Sequence, residues 1–187
     1  MTNPEQGQPD KTVQLLERKT KEVEIIQQVS SEINKTLDLE IIGKSMLLAM
    51  DEYFGFQHSM ILLMDNETQS LSVLSTHGYG EKGVGAKVAV GMGVIGMVAK
   101  RKKLMRMANM GMQLSYMQAI RQQVTETSEA KLQQEEVLPG LPDVESQVAI
   151  PMLLEEELVG VFSFESKEVN IFDKADEFLI GILANQA

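Results

Sequence analysis

The 187-residue chain contains no cysteine. That absence excludes disulfides, thiolate metal sites and cysteine nucleophiles together, and it fits a reducing compartment such as the cytoplasm. Histidine is nearly as scarce, with His58 and His77 only, and no Ser-His-Asp set is convincingly spaced. Basic charge is also short: Lys plus Arg number 17 against 27 Asp plus Glu, for a net charge of -10. Neutralising phosphates dominates nucleic-acid affinity, so an acidic chain without a dense Lys/Arg face is a poor candidate for it. The one compact basic cluster, Arg101-Lys102-Lys103, reads as a solvated helix end or as a phosphate contact. No apolar run approaches about 18 residues, so no transmembrane helix is expected. The polar N-terminus, MTNPEQGQPDKT, lacks the basic-then-apolar layout of a signal peptide.

What the chain does have is enough apolar material, 43% hydrophobic, to bury a core. Its length fits one domain with appendages. The centre is Ser146 to Lys167, SQVAIPMLLEEELVGVFSFESK, where two apolar runs flank Glu155-Glu156-Glu157. Short runs rich in Val, Ile and Phe and bounded by charge predict strands. The glutamates predict an exposed turn, and the pair a hairpin. Both runs are apolar on both faces, which places them in the middle of a covered sheet.

Residues 1–36 read as a polar tail followed by a helix from about Lys11 to Lys35, and 37–187 as the main domain. Leu16, Val23, Ile26, Ile33 and Leu37 fall near a seven-residue pattern, interrupted by Lys19 and Ser30. The helix is either a coiled-coil contact with a second copy, the favoured reading, or an amphipathic cover for its own sheet. Asp38 then caps a second helix that Gly55 ends. Ser59 to Met64 and Leu71 to Thr76 form a hairpin around Asp65-Asn66-Glu67-Thr68. A glycine-rich connection leads to a short strand at about Ala86 to Val90.

Gly91-Met92-Gly93-Val94-Ile95-Gly96 contains a GxGxxG string. A dinucleotide fingerprint needs a buried parallel strand before it and an acidic residue about twenty positions on. Neither is present, so the string reads as a glycine turn feeding a helix over Val94 to Lys100. The N-terminal amides of that helix face a pocket able to hold an anion, or the glycines simply allow close packing on the sheet. Leu104 to Met107 is an edge strand. Ala108 to Pro142 is long for a loop and predicts a lid. Met105, Met107, Met110, Met112 and Met117 make either an adaptable wall or ordinary core filling. A final helix starts at Asp173, and its uncapped end at Asn185-Gln186-Ala187 reads as a cut.

In order and in motif the chain resembles GAF domains, the small-molecule sensor modules of signalling proteins. The phrases GMGVIGMVAKRKKLMRMAN, SQVAIPMLLEEELVGVFSFES and FDKADEFLIGILANQA carry the resemblance, which covers about Leu37 to Ala187. It implies an α+β fold: an antiparallel central sheet of about six strands, with N- and C-terminal helices on one face and a lidded ligand pocket on the other. Phe172-x-x-x-Asp176-Glu177 with Lys167 is similar to the motif of the cyclic-nucleotide subset, although Ser166 stands where that motif has Asn. The resemblance implies that Lys167 and Asp176 pair and brace the pocket from behind.

By the same resemblance Ser59, Thr76 or His77, Val94 and Ile95, Ala108 and Asn109, Val148 and Ser163 would meet the ligand. Tyr116 and Arg121 are added from the lid helix, one to stack and one for phosphate, with a surface salt bridge as the other reading of Arg121. Covalent bilin attachment and methionine sulfoxide reduction use cysteines, and haem would need His58 or His77. The expectation is therefore a non-catalytic, cytoplasmic, homodimeric regulatory module with no resident cofactor. It would bind a cyclic nucleotide such as cAMP or cGMP and relay to an output unit. The alternative is a spacer with no ligand.

Overall fold

The computed structural model describes residues 38–80, 83–111 and 138–184, and positions 13, 16, 17, 19–21, 23, 24, 27 and 31 of a helical stretch. Helix α1 (Leu39–Phe54) starts where the sequence supplies a cap: the Asp38 carboxylate accepts from the amides of Glu40 and Ile41 at 2.9 and 3.4 Å. It ends at Gly55, whose φ of 73° is the left-handed conformation that glycine adopts without steric cost. Then follow β1 (His58–Asp65), β2 (Ser70–His77), β3 (Lys87–Ala89), α2 (Gly93–Arg101), β4 (Met105–Ala108), β5 (Ser146–Leu154), β6 (Glu157–Ser166) and α3 (Lys174–Ala184).

The six strands form one sheet in the order β3-β2-β1-β6-β5-β4, with every pairing antiparallel. β1 and β6 are central and β5 lies beside them. The β1–β2 turn is held by Asp65, whose carboxylate accepts from the amides of Glu67 and Thr68. In the β5–β6 hairpin Glu155 takes a φ of 58° and Glu157 already belongs to β6.

Side chains alternate across a strand, so each strand feeds two cores. On one face Ile61, Val148, Ile150, Met152, Phe162 and Phe164 pack under α1 and α3. On the other Met60, Leu62, Val73, Ala149 and Val161 pack under α2 through Ile95, Val98 and Ala99. Each fully buried aliphatic or aromatic side chain stabilises by about 1.5–3 kcal/mol. Helices α1 and α3 thus cover one face, as expected for an α+β sheet, and α2 with two loops covers the other.

The Phe172–Glu177 motif anchors α3. Phe172 is buried edge-on to Phe56, with ring centroids 5.5 Å apart. Asp173 accepts from the amides of Ala175 and Asp176, and Asp176 Oδ2 accepts from the Asp173 amide at 2.7 Å. That reciprocal arrangement is a capping box. Arg106 on edge strand β4 completes the join: its Nε lies 3.1 Å from Glu177 Oε1, and its Nη1 donates to the Phe172 carbonyl. Arg106 is thus a cation seated on the motif. Lys167 is exposed and, with His58 and Phe172, lines a hollow beside the motif.

Candidate functional site

A hollow of about 380 Å³ opens between the start of α2 and the ends of β5 and β6. Lys87, Val88 and Met92 to Ile95 form one wall, Leu138 to Gly140 the other, and Gln147 and Glu165 the floor. α2 starts here because Gly91 and Gly93 accept φ values of 94° and 60°, turning the chain sharply off β3. Gly96 lets the helix settle on that strand, since a Cβ there would collide with the Ala89 carbonyl. Both readings of the glycine string thus hold in part: glycine allows close packing, and the packing aims the first turn of α2 at the hollow. Met92, at the N-cap position, offers no side-chain acceptor to the first amides.

The floor is polar. Gln147 Nε2 donates to Ser163 Oγ at 3.0 Å and approaches Glu165 Oε1 at 3.4 Å. Glu165 Oε2 accepts from Tyr79 Oη at 3.0 Å and from the Leu141 amide at 2.8 Å. Tyr79 belongs to the loop after β2 and Leu141 to the segment entering β5. One carboxylate therefore pins both covering segments, which also touch where Gly83 lies against Pro139. Desolvation pushes the Glu165 pKa up, opposed by the two hydrogen bonds from Leu141 and Tyr79. Tyr79 is raised as well, by burial first and then by the charge of Glu165.

The hollow brings together some of the expected site residues. Val94 and Ile95 line it, and Ser163 lies beneath it as the partner of Gln147. Thr76 pairs with Met60 and so faces the same side, beyond the hollow's rim. Three residues face the terminal helices instead. Val148 is buried in the core under α1 and α3. Ser59 pairs with Phe164 on one side and His77 on the other, so all three share that face. His77 Nε2 meets Asp51 of α1 at 2.7 Å. Ala108 pairs with Ser146 at the end of β4 and Asn109 is exposed beyond it, both away from the lining. Tyr116 and Arg121, with Met112 and Met117, lie outside the described residues, as does most of the expected lid.

Sequence reasoning missed Gln147, Glu165 and Tyr79. The available signal was parity, because Gln147, Ala149, Ser163 and Glu165 occupy alternate positions on adjacent strands. A second hollow of about 210 Å³ lies behind Glu165, lined by His58, Lys167 and Phe172 among others. The His58 pKa is lowered there by burial and then by the charge of Lys167. A wider one, about 520 Å³, sits at the far end of α2 between Asn66, Gln69, Lys100 and Lys102. Neither gathers the interlocked polar groups of the first. Among the described residues no cluster of three or more His, Asp or Glu could hold a metal ion, and no helix is long and apolar enough to cross a membrane.

No functionally curated protein matches the chain in sequence. Solved structures share its fold. The GAF domain of an Acinetobacter phosphoenolpyruvate-protein phosphotransferase superposes with a TM-score of 0.67 at 18% identity, covering 88% of each chain. That of the Coxiella burnetii phosphoenolpyruvate-protein phosphotransferase gives 0.67 at 21%, covering 89% of each. A free methionine-R-sulfoxide reductase from Neisseria meningitidis, in complex with its substrate, gives 0.65 at 16%, covering 88% of this chain and 84% of that one. The family model for the GAF domain matches residues 36–187, and the chain belongs to the GAF domain family, a sensor and regulatory fold.

Proposed function

We propose that the domain is the small-molecule sensor of a cytoplasmic signal-transduction protein, with a cyclic nucleotide, cAMP or cGMP, as its ligand in the hollow at the start of α2. The observation that carries this reading is the polarity of the hollow from end to end. The first turn of α2 presents amide donors and Lys87 a cation, which suit a phosphate. Gln147 and Glu165 on the floor suit the hydrogen-bonding edge of a base. Val94, Ile95 and Leu138 between them suit an apolar ring.

The relay runs through the sheet. A ligand that moves Glu165 shifts β6, whose opposite side carries Phe162 and Phe164 against α1 and α3. Lys19 of the N-terminal helical stretch lies 5.5 Å from the Phe178 ring of α3, so that stretch can take up a movement of α3. Paired across a homodimer, the terminal helices would pass the change to an attached output unit. A ligand biases such a switch only by its differential affinity for the two states.

A thermal melt of the purified chain with millimolar cAMP or cGMP tests the reading. Ligand at about 100 times its dissociation constant stabilises by about 2.7 kcal/mol, a clear rise in Tm. An unchanged Tm with both nucleotides, and no retained small molecule in native mass spectrometry, would favour a spacer module. Light scattering at tens of micromolar giving only the monomer mass would remove the dimer.

A further inference from the structure

We propose that Met92 is a reversible oxidation site whose sulfoxide supplies the missing side-chain cap of α2 and fills the first-turn end of the hollow. The chain has no cysteine, so methionine carries the sulfur that a peroxide can oxidise. Among the described methionines Met92 is the exposed one, at 49%. Met46, Met50, Met60 and Met152 are buried, and the rest are half-buried. The oxidant must reach the sulfur, so Met92 is the first of them to react. Its position gives that reaction a consequence. Met92 lines the hollow and holds the N-cap position of α2, with φ -94° and ψ 131°, the extended backbone of a capping residue. Its thioether makes no capping hydrogen bond. The Gly96 amide donates to the Met92 carbonyl, but the amides of Gly93, Val94 and Ile95 find no acceptor among the described residues.

The co-reactant is a peroxide. A lone pair of the Met92 sulfur attacks one peroxide oxygen, the O–O bond breaks, an S–O bond forms, and water leaves after proton transfer. The sulfur is oxidised and the peroxide reduced by the same electron pair. The product is a polar side chain with an acceptor oxygen in place of a flexible apolar one. That oxygen lies as many bonds from Cα as the side-chain carbonyl oxygen of a glutamine, so it can fold back over the first turn. There it accepts from the waiting amides, and its partial negative charge suits the positive end of the helix. On the sensor reading above, this is the space a phosphate would use, so oxidation would exclude an anionic ligand from within. The capping itself does not depend on that reading. A peptide methionine sulfoxide reductase would restore the thioether and the open turn.

Limited treatment of the unaltered chain with hydrogen peroxide tests the proposal. Peptide mapping reads which methionines gain oxygen, and NMR hydrogen exchange reads the amides of Val94 and Ile95. Met92 should oxidise about tenfold faster than the half-buried methionines. Exchange at the two amides should then slow by about threefold or more, and the reductase should reverse the slowing. Met92→Leu should show no slowing under peroxide. Met92→Gln places an amide oxygen where the sulfoxide oxygen would be and should show the slowing without peroxide. That variant keeps the test valid if oxidation at other methionines unsettles the fold. Oxidation of Met92 no faster than that of the half-buried methionines overturns the site. Exchange that is unchanged or faster in both the oxidised chain and Met92→Gln overturns the cap. Neither readout needs a ligand, so a failure of cAMP and cGMP to bind would remove the nucleotide reading and leave this proposal standing.

Discussion

The two faces of one sheet are built to opposite specifications. Under α1 and α3 the strands present Phe162, Phe164, Ile150 and Met152, filled in by Phe56, Phe172, Leu47 and Leu179. Phe56 meets both Phe164 and Phe172 edge-on, at 5.4 and 5.5 Å, a geometry that adds to simple burial. Under α2 the same strands present smaller or polar groups, Ala149, Val161, Ser163, Gln147 and Glu165. Among the described residues a short helix and two loops stand above them and leave the hollow. Large aromatics make the first face a fixed support. Small side chains and hydrogen-bonded polar groups make the second an adjustable one. The same alternation puts residues of β1, β5 and β6 in both cores.

The largest break in that contrast should come from Phe164→Ala. The side chain is fully buried, and removing a buried Phe costs about 3–5 kcal/mol. Against typical domain stabilities of about 5–15 kcal/mol, urea denaturation should show a midpoint shifted far down. A shift near zero would mean that the terminal helices are not seated as described. Gly96→Ala should act next, on the other face. The new methyl group would collide with the Ala89 backbone carbonyl, which cannot turn aside as a side chain can. The expected cost is about 1–3 kcal/mol, with α2 displaced and any ligand affinity lost in parallel. If Gly96→Ala weakens ligand binding without lowering stability, the strain has been absorbed in the glycine turn itself.

The elements were legible from the sequence because their signals are local: the Asp38 cap, Gly55, the Asp65 turn, the glycine turn before α2 and the alternation around two hairpins. Which face a strand residue takes was not legible. In β5 and β6 both faces are apolar, so nothing in SQVAIPM tells Val148 from Ala149 by hydrophobicity. In the first hairpin an irregularity at Ile61/Leu62 shifts the β1–β2 register, so counting from Ser59 across to Thr76 and His77 is unsafe. The floor residues were hidden for a different reason. Gln147 and Glu165 sit at strand ends, where polar residues normally meet water. Among the described residues the distant loops bearing Tyr79 and Leu141 cover them, and no local pattern encodes that cover. Arg106 was hidden for a related reason, since the fold brings it from an edge strand to the Phe172–Glu177 motif.

Ser59 sharpens the contrast between the faces with a smaller effect. Its hydroxyl is buried on the helix side, and its oxygen has no hydrogen-bond partner among the described residues. An unsatisfied buried hydroxyl costs about 1–3 kcal/mol relative to a satisfied one. Ser59→Ala removes that polar atom and should raise stability by about 1 kcal/mol, read as a higher denaturation midpoint. It should leave ligand affinity unchanged. A loss of affinity in Ser59→Ala with the fold intact would put Ser59 back in contact with ligand and contradict the assignment of faces.

The smallest effect, and the one that isolates the adjustable face, is the pH dependence contributed by Glu165. Its folded-state pKa lies above the ordinary glutamate value of 4.5, chiefly through desolvation. The folded state therefore holds the proton more tightly than the unfolded chain does. A raised pKa contributes stability that is fully present below the unfolded value and is lost as pH rises through the folded one. Wild-type stability relative to Glu165→Gln should accordingly decline as pH is raised through the window that begins near 4.5 and ends at the folded pKa, then level off. Both hydrogen bonds to Oε2 survive in that variant, because the amide oxygen can accept from Tyr79 and from the Leu141 amide. The difference curve thus reports the buried charge and not the loss of the latch. A difference that stays flat across the window would mean that Glu165 is as well solvated in the fold as in the open chain, and the cover over the hollow would have to be looser than its hydrogen bonds imply.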